Sequence, residues 1–145
     1  MPHIDRARHF DVEPERLWAV VADPHRFGEW LTMHRSWASE LPAEFSAGTQ
    51  VTAVVAVLNI PATVTWTVER YDAPLAVRLR GVGLAGIEVA IALDLAPDAD
   101  GSALTVSADF DGALVGGALG PLIENAGQAE LDRSLERLGA VLAAE

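Results

Sequence analysis

The run FGEWLTMHRSW, residues 27–37, concentrates the side chains best able to do chemistry. It carries Trp30, Met33, His34, Arg35 and Trp37 within eight positions. An arginine beneath two indoles binds a carboxylate or an enolate through its planar fork. A histidine titrating near neutrality is a natural general base. Strand alternation would put Met33, Arg35 and Trp37 on one face and His34 on the other. A β-bulge would swap the faces and admit His34 instead. His34 and Arg35 are therefore the catalytic candidates, and register decides between them. The plain alternative makes Trp30 and Leu31 core plugs at a helix end and leaves His34 an ordinary strand residue.

The other suggestive patterns lack their structural context. Gly81-Val82-Gly83-Leu84-Ala85-Gly86 spells G-x-G-x-x-G. Dinucleotide binding needs a helix after that motif, and an alternating strand follows here, so the segment reads as a hairpin loop. Gly116-Gly117-Ala118-Leu119-Gly120 precedes a helix but has no lysine or hydroxyl beside it, and reads as a joint. His3, Asp5, His9 and Asp11 alternate on one strand face. His3 and His9 lie about 20 Å apart along a strand, too far for one ion, so a solvated face is expected and no metal site. Asp109 and Asp111 flank Phe110, and Asp109 points outward. No G-x-S-x-G is present.

Composition removes whole classes of chemistry. There is no cysteine, hence no disulfide, thiolate nucleophile or iron–sulfur ligand. There is no lysine either, hence no Schiff base and no Walker-type phosphate lysine. No cofactor is implied. The formal net charge of −11 repels nucleic acid at long range, and no nucleic-acid partner is expected. No apolar run reaches the length of a membrane span, and the first residues show no signal-peptide h-region. A cytoplasmic location is expected.

The elements that must position these residues follow from hydrophobic period. The 145 residues suit one domain, 1–145. His3 to Val12 reads as a strand, Pro14 opens a helix stopped at Asp23-Pro24, and His25 to Leu31 reads as a short second helix. Strands are expected over Met33–Leu41, Gln50–Leu58 and Thr63–Glu69, with a turn at Asn59-Ile60-Pro61. Leu75, Val77 and Leu79, then Ile87 to Leu95, then Leu104 to Phe110 continue the alternation. Polar turns fall at Asp72-Ala73-Pro74 and Pro97–Gly101. The connections are short, so the strands should be antiparallel, with one apolar face. Only a helix over Leu119–Ala143 is long enough to cover that face.

Ala126, Gly127 and Ala129 make that helix small-sided near its start, where a void is expected. The expected ligand wall comprises Trp30, Met33, Arg35 and Trp37. Trp66, Val68, Leu79, Val89, Ile91, Leu93 and Val106 join it from the sheet, with Leu119, Ile123 and Ala126 from the helix.

The stretch Glu15-Arg16-Leu17-Trp18-Ala19-Val20-Val21-Ala22-Asp23-Pro24, with Phe27 and Trp30-Leu31, resembles the opening of the START-like SRPBCC proteins, the polyketide cyclase/dehydrase-like or helix-grip superfamily. Thr65-Trp66-Thr67-Val68-Glu69-Arg70-Tyr71 and the late Asp111-Gly112 before a Gly-rich approach to a long helix fit as well. Residues 29–37 with Leu41-Pro42 and Gly48-Thr49 are most similar to the branch of type II toxin–antitoxin toxins. The resemblance implies an α+β fold of order β-α-α-β6-α. A seven-stranded antiparallel sheet would wrap the C-terminal helix around a hydrophobic cavity. It also implies an apolar small-molecule ligand, lipid- or polyketide-like, and a cognate antitoxin protein as partner. The alternative is a cyclase or dehydratase using His34 or Arg35.

Overall fold

The computed structural model describes residues 2–57, 59–83 and 86–145. The chain forms β1 (His3–Phe10), α1 (Pro14–Val21), a 3₁₀ turn (Pro24–Arg26), α2 (Phe27–Trp30), β2 (His34–Trp37) and β3 (Gln50–Val57). It continues through β4 (Ile60–Asp72), β5 (Ala76–Val82), β6 (Glu88–Asp98) and β7 (Gly101–Asp111). A second 3₁₀ turn (Ala113–Val115) leads to α3 (Leu119–Ala143). One seven-stranded sheet has the order β1-β7-β6-β5-β4-β3-β2, and every neighbouring pair is antiparallel. This is the α+β helix-grip order read from the sequence.

Local chemistry explains the boundaries. Pro14 takes the first turn of α1 with Glu15 beside it, where a missing N–H and a negative charge both suit the helix start. The Asp23 carboxylate accepts the His25 backbone N–H at 2.9 Å and opens the 3₁₀ turn. β2 is shorter than the alternation predicts and ends at Trp37 rather than Leu41. Beyond it the Ser39 hydroxyl takes over as acceptor for the Thr52 N–H at 2.8 Å.

β4 begins at Ile60, inside the expected turn, because Asn59 turns the chain with φ of 62°. Pro61 is tolerated there. It faces Ala56, whose N–H goes to the Met33 carbonyl on β3's other side at 2.9 Å, so the Ala56–Pro61 pair exchanges no bonds. The missing N–H of Pro61 points to the side where β5 pairs only from Thr65 onward. β6 likewise runs through Pro97 to Asp98, and Ala99, at φ of 51°, turns the chain into β7. Leu75, expected in the inward row, is exposed in the turn before β5.

α3 spans 25 residues, about 37 Å, and lies along β1. Its C-terminal half belongs to a densely packed core. Leu138 and Leu142 are buried there with Leu17, Val20 and Val21 of α1 and Leu95 and Leu104 of the sheet. Gly127 is also filled against: a Cβ on it would come within 2.9 Å of the Ile4 side chain. The small residues of α3 therefore let β1 approach closely.

Candidate functional site: an apolar cavity at the start of the long helix

A cavity of about 370 Å³ opens between the sheet and the N-terminal half of α3. Leu119, Ile123, Leu131 and Ser134 form the helix side. Trp66, Leu79, Val89, Ile91, Leu93 and Val106 line it from β4 to β7, together with Phe110 and Ala108. Trp30, Met33, His34 and Trp37 close it from α2, β2 and the turn between them. Ile60 and Leu119 line the space yet are solvent-exposed, which marks an opening between the starts of β4 and α3.

Three expected wall residues lie outside. Arg35 is exposed, and its guanidinium donates to the Thr32 carbonyl at 2.6 Å. Val68 is fully buried, but within the packed core. Ala126 does not line the void, and Ile4 occupies the approach at its neighbour Gly127.

A bulge explains the choice between positions 34 and 35. His34 pairs with Val55, whereas Ser36 pairs with Val54, so Arg35 is the extra residue in β2. His34 and Trp37 turn inward, and Arg35 and Ser36 turn outward. The imidazole lies 4.7 Å from the Trp37 ring and meets Phe27 edge-on at 6.3 Å. Phe45, absent from the sequence reading, packs edge-on against both Phe27 and Trp37. Its segment shows no periodicity that would have placed it. Trp37 is fixed by its indole N–H, which donates to the Pro24 carbonyl at 3.0 Å.

Burial pushes the His34 imidazole below its ordinary pKa, and no side chain among the described residues hydrogen-bonds to its ring. Among the described residues no carboxylate orients it. The Trp30 indole N–H is also buried without a partner among the described residues.

A polar latch joins this wall to α3. The Thr32 backbone N–H donates to the Ser134 hydroxyl at 3.0 Å. The two hydroxyls also lie 3.0 Å apart, and that of Thr32 donates to the Glu130 carboxylate. Burial pushes the Glu130 carboxyl up, but the bonds from Thr32 and Arg133 outweigh it and hold the group below its usual range. Ser134 is one of two buried polar side chains in the core, among the described residues, and this network satisfies it.

The glycine run 81–86 has a different role from the one its spacing suggests. Gly81 sits in β5 opposite Trp66, and a Cβ there would fall 2.6 Å from the indole. Gly83 lines the cavity, while Leu84 and Ala85 lie outside the described residues. His3 and His9 are held in two separate exposed clamps, and Asp109 is a partner of His3. No group of three metal-binding side chains occurs among the described residues. No helix among them is long and apolar enough to cross a membrane.

A curved antiparallel sheet gripping a long helix around an apolar cavity defines the START-like class of folds. The chain belongs to the family described as polyketide cyclase / dehydrase and lipid transport, whose sequence profile matches residues 1–143. It is 33% identical over 130 residues to the protein named Toxin Rv0910 of Mycobacterium tuberculosis strain ATCC 25618 / H37Rv, covering 90% of each chain. Among solved structures, a START superfamily protein from Mycobacterium smegmatis matches with a TM-score of 0.79 at 12% identity, covering 98% of this chain and 97% of that one. A protein from Thermus thermophilus matches with a TM-score of 0.79 at 19% identity, covering 99% of this chain and 98% of that one.

Proposed function

We propose that the protein binds an apolar small molecule, lipid- or polyketide-like, in the cavity between the sheet and α3. The observation that carries this reading is a void of about 370 Å³ with an almost wholly hydrocarbon wall. A ligand seated there would bury its own apolar surface at about 25 cal/mol per Å², before the costs of association. Native mass spectrometry of gently purified protein, with titration of the neutral probe N-phenyl-1-naphthylamine, tests the reading. A retained small molecule or saturable binding at one probe per chain is expected. A bare protein that does not take up the probe removes the proposal.

The position of His34 favours a second reading, a cyclase or dehydratase with the imidazole as base. Against it, no carboxylate orients the ring and no charged group faces the reacting space among the described residues. Turnover of a poly-β-ketone thioester that disappears in His34→Ala would establish it. A growth-inhibiting role with an antitoxin partner is supported by the name of the relative at 33% identity. Controlled expression tests that role, and normal growth on induction removes it.

A further inference from the structure

We propose that the cavity selects an uncharged ligand carrying one hydroxyl or carbonyl oxygen, and that this oxygen is read by the imidazole of His34 beside the Trp37 ring. The inference rests on the cavity being a binding site and names the chemistry of what it holds.

Among the described residues, the cavity wall carries no charge to pair with a ligand's: no aspartate, glutamate or arginine lines it. Arg35, the cation nearest in sequence, is turned outward by the bulge and bonded to Thr32. Glu130 is committed to Thr32 and Arg133. An ionic head group drawn inside would find no counter-charge, and an unpaired buried charge is strongly disfavoured.

Hydrogen-bonding capacity narrows the ligand further. Two polar side chains besides the indoles reach the wall, Ser134 and His34. Ser134 already accepts the Thr32 N–H and shares a bond with the Thr32 hydroxyl. Trp37 spends its N–H on Pro24, and the N–H of Trp30 is itself fully buried. Trp66 also lines the space, but an indole can only donate, so among the described residues His34 alone offers it both a free donor and a free acceptor. A neutral imidazole offers one donor and one acceptor, which suits an oxygen that accepts or does both. Burial favours that neutral form. The ring is held in place by Phe27 and Trp37 and by the bulge beneath it, so its orientation is set before any ligand arrives. A purely hydrocarbon ligand would leave the imidazole unpaired.

Calorimetric titration with 2-naphthol, naphthalene and 2-naphthoate near neutral pH tests the selection. The three share one ring system and differ in the group offered to His34. 2-Naphthol should bind about tenfold tighter than naphthalene, the worth of one well-placed hydrogen bond. 2-Naphthoate should bind at least about tenfold more weakly than 2-naphthol. In His34→Phe the naphthol-to-naphthalene ratio should fall to near one. In the unmodified protein, the ¹⁵N resonances of the His34 ring should move with 2-naphthol and stay with naphthalene, which decides the matter even if the variant fails to fold. Equal affinities, a naphthoate as tight as the naphthol, or a preference that survives in His34→Phe each overturn the inference. If N-phenyl-1-naphthylamine binds while these preferences are absent, this inference alone falls. If neither it nor any of the three ligands binds, the binding reading falls and takes this one with it.

Discussion

Gly81 and Trp66 face each other across the β4–β5 ladder, and the indole occupies the space a side chain on Gly81 would need. Both Trp66 and Val64 would lie within 2.7 Å of an added Cβ. Substituting Gly81→Ala must therefore push Trp66 into the cavity or spread the strands. A loss of about 1–3 kcal/mol in urea unfolding is expected, with a shift in tryptophan emission. An unchanged midpoint would show that the indole moves at no cost. The spacing 81–86 shows in the sequence as a motif, but its physical reason does not. That reason depends on which residue of β4 stands opposite Gly81, and a bulge between Val68 and Arg70 sets the pairing. The same limit applies at position 34. Alternation predicts Arg35 inward, and one extra residue in β2 reverses it.

Contacts between elements hold the cavity wall in place, and two sets of them carry predictions. The Thr32–Ser134 latch ties the start of β2 to α3. Ser134→Ala leaves the half-buried Thr32 N–H without its acceptor, and should lower stability by about 1–3 kcal/mol in thermal or urea unfolding. A loss well below that range would mean water replaces the hydroxyl.

On the outer face, β1 is pinned to its neighbours by two imidazoles, each between two carboxylates. His3 bonds Asp5 and Asp109, and His9 bonds Asp98 and Asp11. Both nitrogens of each ring can donate to carboxylates only when the ring is protonated, and these bonds raise both pKa values. The stabilisation is thus fully present below the unfolded pKa of about 6.5 and is lost as pH rises through the raised folded values. Between about pH 6 and about pH 8 the clamps lower the melting temperature while the buried His34 raises it, so the double variant His3→Gln, His9→Gln should show a more positive slope than the unmodified protein. Equal slopes for the two proteins would count against the clamps. The alternation correctly puts His3 and His9 on the wet face. Their partners Asp109 and Asp98 come from strands about 90 or more residues away, which strand period cannot report.

At the scale of the molecule, element order was readable because it needs only period and turn chemistry. One apolar sheet face and one long helix leave few ways to fold. The location of the void was readable too, but not its cause. It sits beside the N-terminal half of α3, where Leu119, Ile123 and Leu131 face Val89, Ile91 and Val106 across open space. Ile4 packs against Gly127, so the room left by that glycine is already taken and does not by itself make the void.

This architecture makes the sign of a mutational effect diagnostic. Ile91 lies inward on β6 opposite Ala108, and both line the cavity. In a close-packed core, Ile91→Phe would overpack and cost about 1–3 kcal/mol. Beside this cavity the larger ring has room, and the ligand-free protein should instead gain about 0.5–2 kcal/mol, read as a rise of a few degrees in melting temperature. The same ring takes volume from any ligand, so binding of N-phenyl-1-naphthylamine should weaken at least about tenfold. Higher stability with weaker binding is the pairing expected of a cavity maintained for an occupant. Lower stability with unchanged binding would place the probe elsewhere and remove the cavity from the account of function.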